Sequence, residues 1–212
     1  MIEFLLKYPQ KVYEPLLQHL QITTITLFIS FLIAVPIALL VLRSRILSQI
    51  SVSVFGIIYS IPSLALFALL IPSFGLGLNT AIFVLVLYNQ YILVRSILAG
   101  FRSVDPAVIE SAVGMGMSDI QLFLRIRLPL ASPIILAGVK IASVSTIGIA
   151  TIAATINAGG LGTLLFDGLR TQNNVKILWG AILASGLAIA ANTLLGMLEK
   201  RSRRMTKGES GK

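Results

Sequence analysis

"ESAVGMGMSDIQLFLRIRLP", residues 110–129, interrupts a chain that is otherwise mostly apolar. It carries Glu110, Asp119, Arg125 and Arg127, two glycines and a closing proline. What surrounds it decides the fold. The 212 residues are 56% hydrophobic and 12% charged. That is about half the share of charge usual in soluble domains, roughly 25%. With a mean hydropathy of +0.93, this composition belongs to an integral membrane protein.

Working outward, apolar runs at about 20–42, 50–71, 78–100, 130–156 and 177–198 each approach the roughly 20 residues that a bilayer core requires. They are apolar all round, and lipid offers no partner for free backbone groups, so they are helices. A β-barrel would show short alternating segments instead. The first run is too long for a signal peptide and follows a tail of mixed charge, so it reads as a true span. The expected organisation is an extracytoplasmic tail at 1–19, a transmembrane domain at 20–198 with its polar loop at 101–129, and a basic tail at 199–212. The last residues, "KGESGK", read as disordered.

Net charge is +9, but the cations sit at the ends of apolar runs rather than on one polar face, which argues against nucleic acid. With five spans the termini lie on opposite sides. One side then holds Arg43, Arg45, Arg102, Arg125, Arg127, Lys200, Arg201, Arg203, Arg204, Lys207 and Lys212; the other holds Lys7, Lys11, Arg170 and Lys176. The positive-inside rule makes the first side cytoplasmic, with the N-terminus outside, the C-terminus inside and the 110–129 stretch in the cytoplasm. Arg95 and Lys140 fall inside spans near their cytoplasmic ends and are expected to snorkel. The chain has no Cys and one His, which excludes disulfide scaffolds and thiolate sites and leaves no basis for a metal site or a His-based triad.

Asp105 with Pro106 is an N-cap followed by a first helical position, so a short helix starts there and runs to about Val113. Val108, Ala112 and Met115 fall on one stripe of it. Gly114 and Gly116 stop or turn the helix. Ser118 with Gln121 forms a capping box for a second short helix whose apolar face is Ile120, Phe123 and Leu124. Pro129 is expected to change the direction into the fourth span. Three arrangements fit this pattern: a hairpin lying on the lipid surface, a re-entrant element, or a knob docking into a soluble partner.

The spacing Glu110-Ser111-Ala112, three residues, Gly116, nine residues, Ile126, one residue, Leu128-Pro129 resembles the E-A-A-x3-G-x9-I-x-L-P loop of ABC importer permeases, with Ser111 in place of the first alanine. The segments "ESAVGMGMS", "RLPLASPIILAGVKIA", "IGIATIAATINAGGLG" and "YSIPSLALFALLIPSFGLG" resemble the osmoprotectant branch, whose permeases carry glycine betaine, carnitine and choline. The resemblance implies an all-α membrane protein of about five spans, like the type I importer permeases, with its coupling helices in the cytoplasmic loop. It implies that Glu110, Ser111, Ala112, Gly114, Met115, Gly116, Ile126, Leu128 and Pro129 meet an ATP-binding subunit. It also implies a second permease subunit, identical or homologous, an external binding protein and a bacterial plasma membrane. The chain itself lacks the G-x-x-x-x-G-K-[ST] phosphate loop, so no cofactor is expected in it and ATP is used by the partner.

Candidates for a solute pathway are polar groups at membrane depth. Tyr59, Ser63 and the Pro62 break interrupt the second run, as an ordinary kink or as a pore-facing break. Tyr88, Asn89, Gln90 and Tyr91 sit mid-span, either hydrogen-bonding between helices or lining a path where Tyr88 or Tyr91 faces a quaternary ammonium. Thr151 belongs to a run of small and hydroxyl residues suited to close helix packing or to a pore axis. Asn157 opens the "NAGGLG" turn, a helix stop; the resemblance implies a short helix after it, near the gate and the binding-protein surface. Remaining rivals are a methionine or other amino-acid importer permease and a structural membrane protein with a lipid-surface hairpin. An intramembrane enzyme finds no paired acids and no base beside its hydroxyls.

Overall fold

The computed structural model describes residues 2–206; the tail expected to be disordered, 207–212, lies outside them. Every regular element among the described residues is helical. In chain order they are α1 (Ile2–Lys7), α2 (Gln10–Leu42), α3 (Arg45–Ser60), α4 (Ser63–Phe74), α5 (Leu78–Arg102), α6 (Pro106–Gly114), α7 (Asp119–Leu122), α8 (Leu128–Ile152), α9 (Gly162–Arg170) and α10 (Asn174–Thr206). A π-turn, Phe123–Arg127, joins α7 to α8, and a 3-10 turn, Ala153–Ile156, ends α8.

Among the described residues, four helical runs are long and apolar enough to cross a membrane: α2, α5, Asp119–Ile156 and α10. The expected second span is not one helix, because α3 and α4 meet at 95°. Pro62 has no N–H to donate, and its ring pushes Ile61 out of the helical region to ψ 131. The pair is a broken span or a re-entrant loop. The helix of the first span, α2, starts at Gln10, well before residue 20, and α1 precedes it, so most of the expected tail is helix. Pro129 does not turn the chain. It sits in the first turn of α8, where a missing N–H costs nothing, and the π-turn ahead of it carries the Leu128 amide to the Phe123 carbonyl. The second short helix of the loop is therefore the leading end of a continuous run.

The most buried of the long helices is α5, with α2 and α8 packed on it. Ala34 and Ala38 of α2, Leu93, Val94 and Ile97 of α5, and Ala131 and Ala142 of α8 form one cluster. Small residues set the approach of α5 and α8. A Cβ added at Gly138 would stand 2.2 Å from the Ser96 Cβ, so only glycine fits there.

The polarity of α2 is inverted relative to a soluble helix. Phe28, Leu32 and Leu40 are exposed while His19, Thr23, Thr26 and Ser30 are buried. In hydrocarbon this is the stable arrangement: apolar faces meet acyl chains, and His19, Thr23 and Ser30 pair inside, while the Thr26 hydroxyl is buried without a partner.

Candidate functional site

Local chemistry builds the 106–129 loop much as its caps dictate. Asp105 accepts from the Ala107 amide at 2.9 Å and Pro106 opens α6. The helix ends with the Gly116 amide on Val113 O (2.9 Å) and the Met117 amide on Ala112 O (3.2 Å), a Schellman closure with Gly116 at φ +79. Ser118 and Gln121 exchange both capping-box bonds. The Phe101 and Phe123 rings stack at 5.5 Å, and Ile109 and Phe123 pack on the α2–α5–α8 cluster. Ala112 is 1% exposed and Leu122 is buried. The loop is thus fixed to the bundle on one side.

Its other side is open. Met115 is 71% and Ile120 72% exposed, and Val108, Val113, Leu124 and Leu128 are exposed too. Val108, Ala112 and Met115 do not share one environment as their spacing suggested: Ala112 faces the bundle and the other two face out. Glu110 is exposed and outside every ion pair among the described residues. Ser111 is exposed and donates to the Ala107 carbonyl at 2.8 Å. Gly114 has open space around it. Ile126 is half-buried and Pro129 exposed. The arrangement is a rigid, mostly apolar knob bearing two carboxylates, Glu110 and Asp119, outside every ion pair among the described residues.

The pathway candidates separate into three places. Tyr59, Tyr88 and Tyr91 come together beside the α3–α4 break. Tyr59 meets Tyr88 edge-on at 5.7 Å and Tyr91 at 5.1 Å. The Tyr88 hydroxyl donates to the Ile61 carbonyl at 2.5 Å, satisfying a group that the break set free. Ser63 is half-buried at the start of α4. Asn89 is 2% exposed and its amide donates to Ser30 Oγ (3.2 Å) and Thr146 Oγ1 (2.9 Å), tying three helices together by the interhelix hydrogen bonding that was one of its two readings. Gln90 donates to the Ser30 and Val86 carbonyls. Thr151 is half-buried and donates to Gly148 O at 2.7 Å, while Asn157 is exposed at φ 64, ending the 3-10 turn in the left-handed conformation.

Neither in-span cation snorkels alone. Lys140 pairs with Glu199 at 2.6 Å, and Arg95 donates to the Tyr91 hydroxyl at 2.9 Å. One buried group, His19, escaped the sequence reading. His19 Nδ1 accepts from the Leu161 amide at 3.3 Å, and His19 Nε2 donates to Ile147 O at 3.1 Å. Beside it Gln18 accepts from the Gly160 amide, so α2 holds the "NAGGLG" turn by its backbone. The available signal was the recurrence of His19, Thr23, Thr26 and Ser30 at three- and four-residue steps. Outside the spans, Asp167 of α9 binds Lys176 at 2.6 Å and Arg170 at 3.0 Å. The Lys176 bond first, then the Arg170 bond, hold its carboxyl below the usual range.

Residues 25–204 match the family described as "Binding-protein-dependent transport system inner membrane component". The chain is 37% identical to the carnitine transport permease protein OpuCB of Listeria monocytogenes, over 87% of this chain and 84% of that protein. It is 35% identical to the glycine betaine/carnitine/choline permease OpuCD of Bacillus subtilis, over 86% and 80%. It is 41% identical to the ergothioneine permease/binding protein EgtU of Helicobacter pylori, over 69% of this chain but 26% of that longer protein. A crystal structure of an amino acid ABC transporter superposes with a TM-score of 0.77 at 21% identity, covering 92% of this chain and 96% of the other, which is a likeness of fold.

Proposed function

We propose that this chain, which belongs to the family of binding-protein-dependent transport system inner membrane components, imports small trimethylammonium solutes: glycine betaine, carnitine or choline. It is the multi-pass permease of an ATP-driven importer and is not itself an enzyme. The relatives' names supply the cargo class. Ergothioneine is the second reading, favoured by the 41% identity to EgtU; it too is a trimethylammonium compound. The rest of the assembly follows from this reading. A cytoplasmic ATP-binding subunit takes the 106–129 knob in a groove, a second permease subunit completes the path, and an external binding protein delivers the solute. The N-terminus lies outside, the C-terminus inside, and 20–198 is the membrane domain with basic residues 199–212 on its cytoplasmic side.

The observation that carries the coupling role is the knob itself, rigid by its Schellman closure and capping box yet apolar on its outer side. Closure of the ATP-binding subunits would push on Val113, Met115 and Ile120, and the continuous Asp119–Ile156 run would carry the push into the membrane. The test is uptake of radiolabelled glycine betaine, carnitine, choline, ergothioneine and methionine in a strain lacking its own importers. Wild type should carry the trimethylammonium solutes. The double variant Glu110→Lys/Gly116→Trp should insert normally and carry none. Normal uptake by that variant would sink the coupling role, and uptake of methionine alone would sink the cargo assignment.

A further inference from the structure

Arg95 is a cation at membrane depth that the coupling role does not use. Charged groups inside spans are costly and mark function. Arg95 is exposed, and none of the ion pairs among the described residues includes it. Its one recorded hydrogen bond goes to the Tyr91 hydroxyl at 2.9 Å, which leaves most of a five-donor fork unused. Its guanidinium opens on a cleft of about 320 Å³ between α3 and α5, where Arg102 adds a second cation and Gln49 and Ser53 add neutral polar groups. The cleft's lining carries two cations and no carboxylate, a charge balance that suits an anion. One turn away on α5 begins the tyrosine cluster: the Arg95 guanidinium carbon lies 5.8 Å from the Tyr91 ring centre, and Tyr59 packs on Tyr91. Tyr59 is 36% exposed and Tyr91 half-buried, so aromatic surface remains open beside the cation.

An anion receptor adjoining partly open aromatic rings matches a zwitterion whose charges are a carboxylate and a trimethylammonium. We infer that this is a solute subsite on the pathway: Arg95 receives the carboxylate in bidentate fashion, and Tyr59 and Tyr91 receive the trimethylammonium group by cation–π contact. The inference rests on the trimethylammonium cargo proposed for this chain and sharpens it. Glycine betaine, carnitine and ergothioneine carry the carboxylate; choline carries none and meets Arg95 as a like charge. The subsite therefore selects zwitterions over choline.

Uptake by the full importer, with its ATP-binding subunit and binding protein, reconstituted in vesicles of varied anionic lipid content, tests this. Radiolabelled carnitine and choline are compared for wild type, Arg95→Gln and Arg95→Lys. Because the same binding protein serves every variant, its own preference cancels. Wild type should favour carnitine, and Arg95→Gln should lower the carnitine-to-choline ratio of kcat/KM by about tenfold, the scale of one lost charge-assisted hydrogen bond. Arg95→Lys keeps the charge but not the fork, and should lower the ratio by a smaller factor; it decides the matter if Arg95→Gln does not assemble. An unchanged ratio in an assembled variant overturns the inference while leaving the cargo class standing, as does a wild type that carries choline alone. A wild type that carries neither solute overturns the cargo class itself. An equal loss for both solutes that follows the anionic lipid content of the vesicles assigns the cleft to a lipid headgroup and overturns the inference.

Discussion

At Gly116 the backbone stands at φ +79, while nothing within 4 Å opposes a side chain there; Gly114 is equally open but helical. The two glycines of one motif therefore differ. Gly116→Ala forces an L-residue into the left-handed region and should cost about 1 kcal/mol. Gly114→Ala should be neutral or stabilise by up to about 1 kcal/mol. Thermal unfolding of both variants in detergent checks the order, and a Gly114→Ala chain less stable than Gly116→Ala would contradict it. Tyr88 offers a second contrast. Removing its hydroxyl in Tyr88→Phe leaves the Ile61 carbonyl without that bond at the break, at a cost of about 1–3 kcal/mol if no water replaces it. Faster amide exchange at the start of α4 should accompany the loss. Both residues were legible by type in the sequence, as a turn glycine and a polar mid-span tyrosine. The partner of Tyr88 was not, because it sits 27 residues away.

Between elements, α5 and α8 approach where Gly138 faces Ser96, and α9 is pinned to α10 by Asp167 and Lys176. Gly138→Leu has no space to enter, so it should separate the two helices and cost roughly 1–3 kcal/mol or more. Loss of folded protein in size-exclusion chromatography checks it. The Asp167 pair makes a pH prediction. Its carboxyl pKa is depressed in the folded chain, by the Lys176 and Arg170 bonds in that order. A depressed acid contributes stability above its unfolded pKa, about 3.9, and loses it as pH falls through the lower folded value. The clamp should therefore hold at neutral pH, weaken once the pH falls below the unfolded value, and release only as it passes the lower folded one. Proteolysis at the Thr171–Asn173 turn should then rise on acidification in wild type and be pH-independent in Asp167→Asn. Apolar run length pointed to α5, α8 and α10, and the family resemblance to a short helix at α9, but neither located their closest approach, since a glycine is equally suited to a turn, a kink and a contact.

Across the whole molecule, the chain's freedom from cysteine makes its orientation measurable. Single-cysteine variants Met115→Cys and Leu169→Cys both fall at exposed positions. A membrane-impermeant maleimide should label Leu169→Cys in intact cells and Met115→Cys only after the membrane is opened. The reverse pattern would invert the topology. The outer surface of the bundle suits lipid and partner subunits rather than water: α10 buries only Gly180.

Composition and run length alone determined that this chain is a helical membrane protein, because a bilayer leaves the backbone no other way to pair its polar groups. Charge asymmetry and the spacing from Glu110 to Pro129 pointed to the loop and its family, since caps and turns are local and act over a few residues. The tertiary structure decided what depends on distant partners. Pro62 ends a helix and turns the chain by 95°, whereas Pro129 continues one behind a π-turn. Asn89 went to the core because Ser30 and Thr146 stand opposite it. Arg95 stayed open because no acid among the described residues was brought within its reach. A residue's type states what it needs; only packing states which neighbour supplies it.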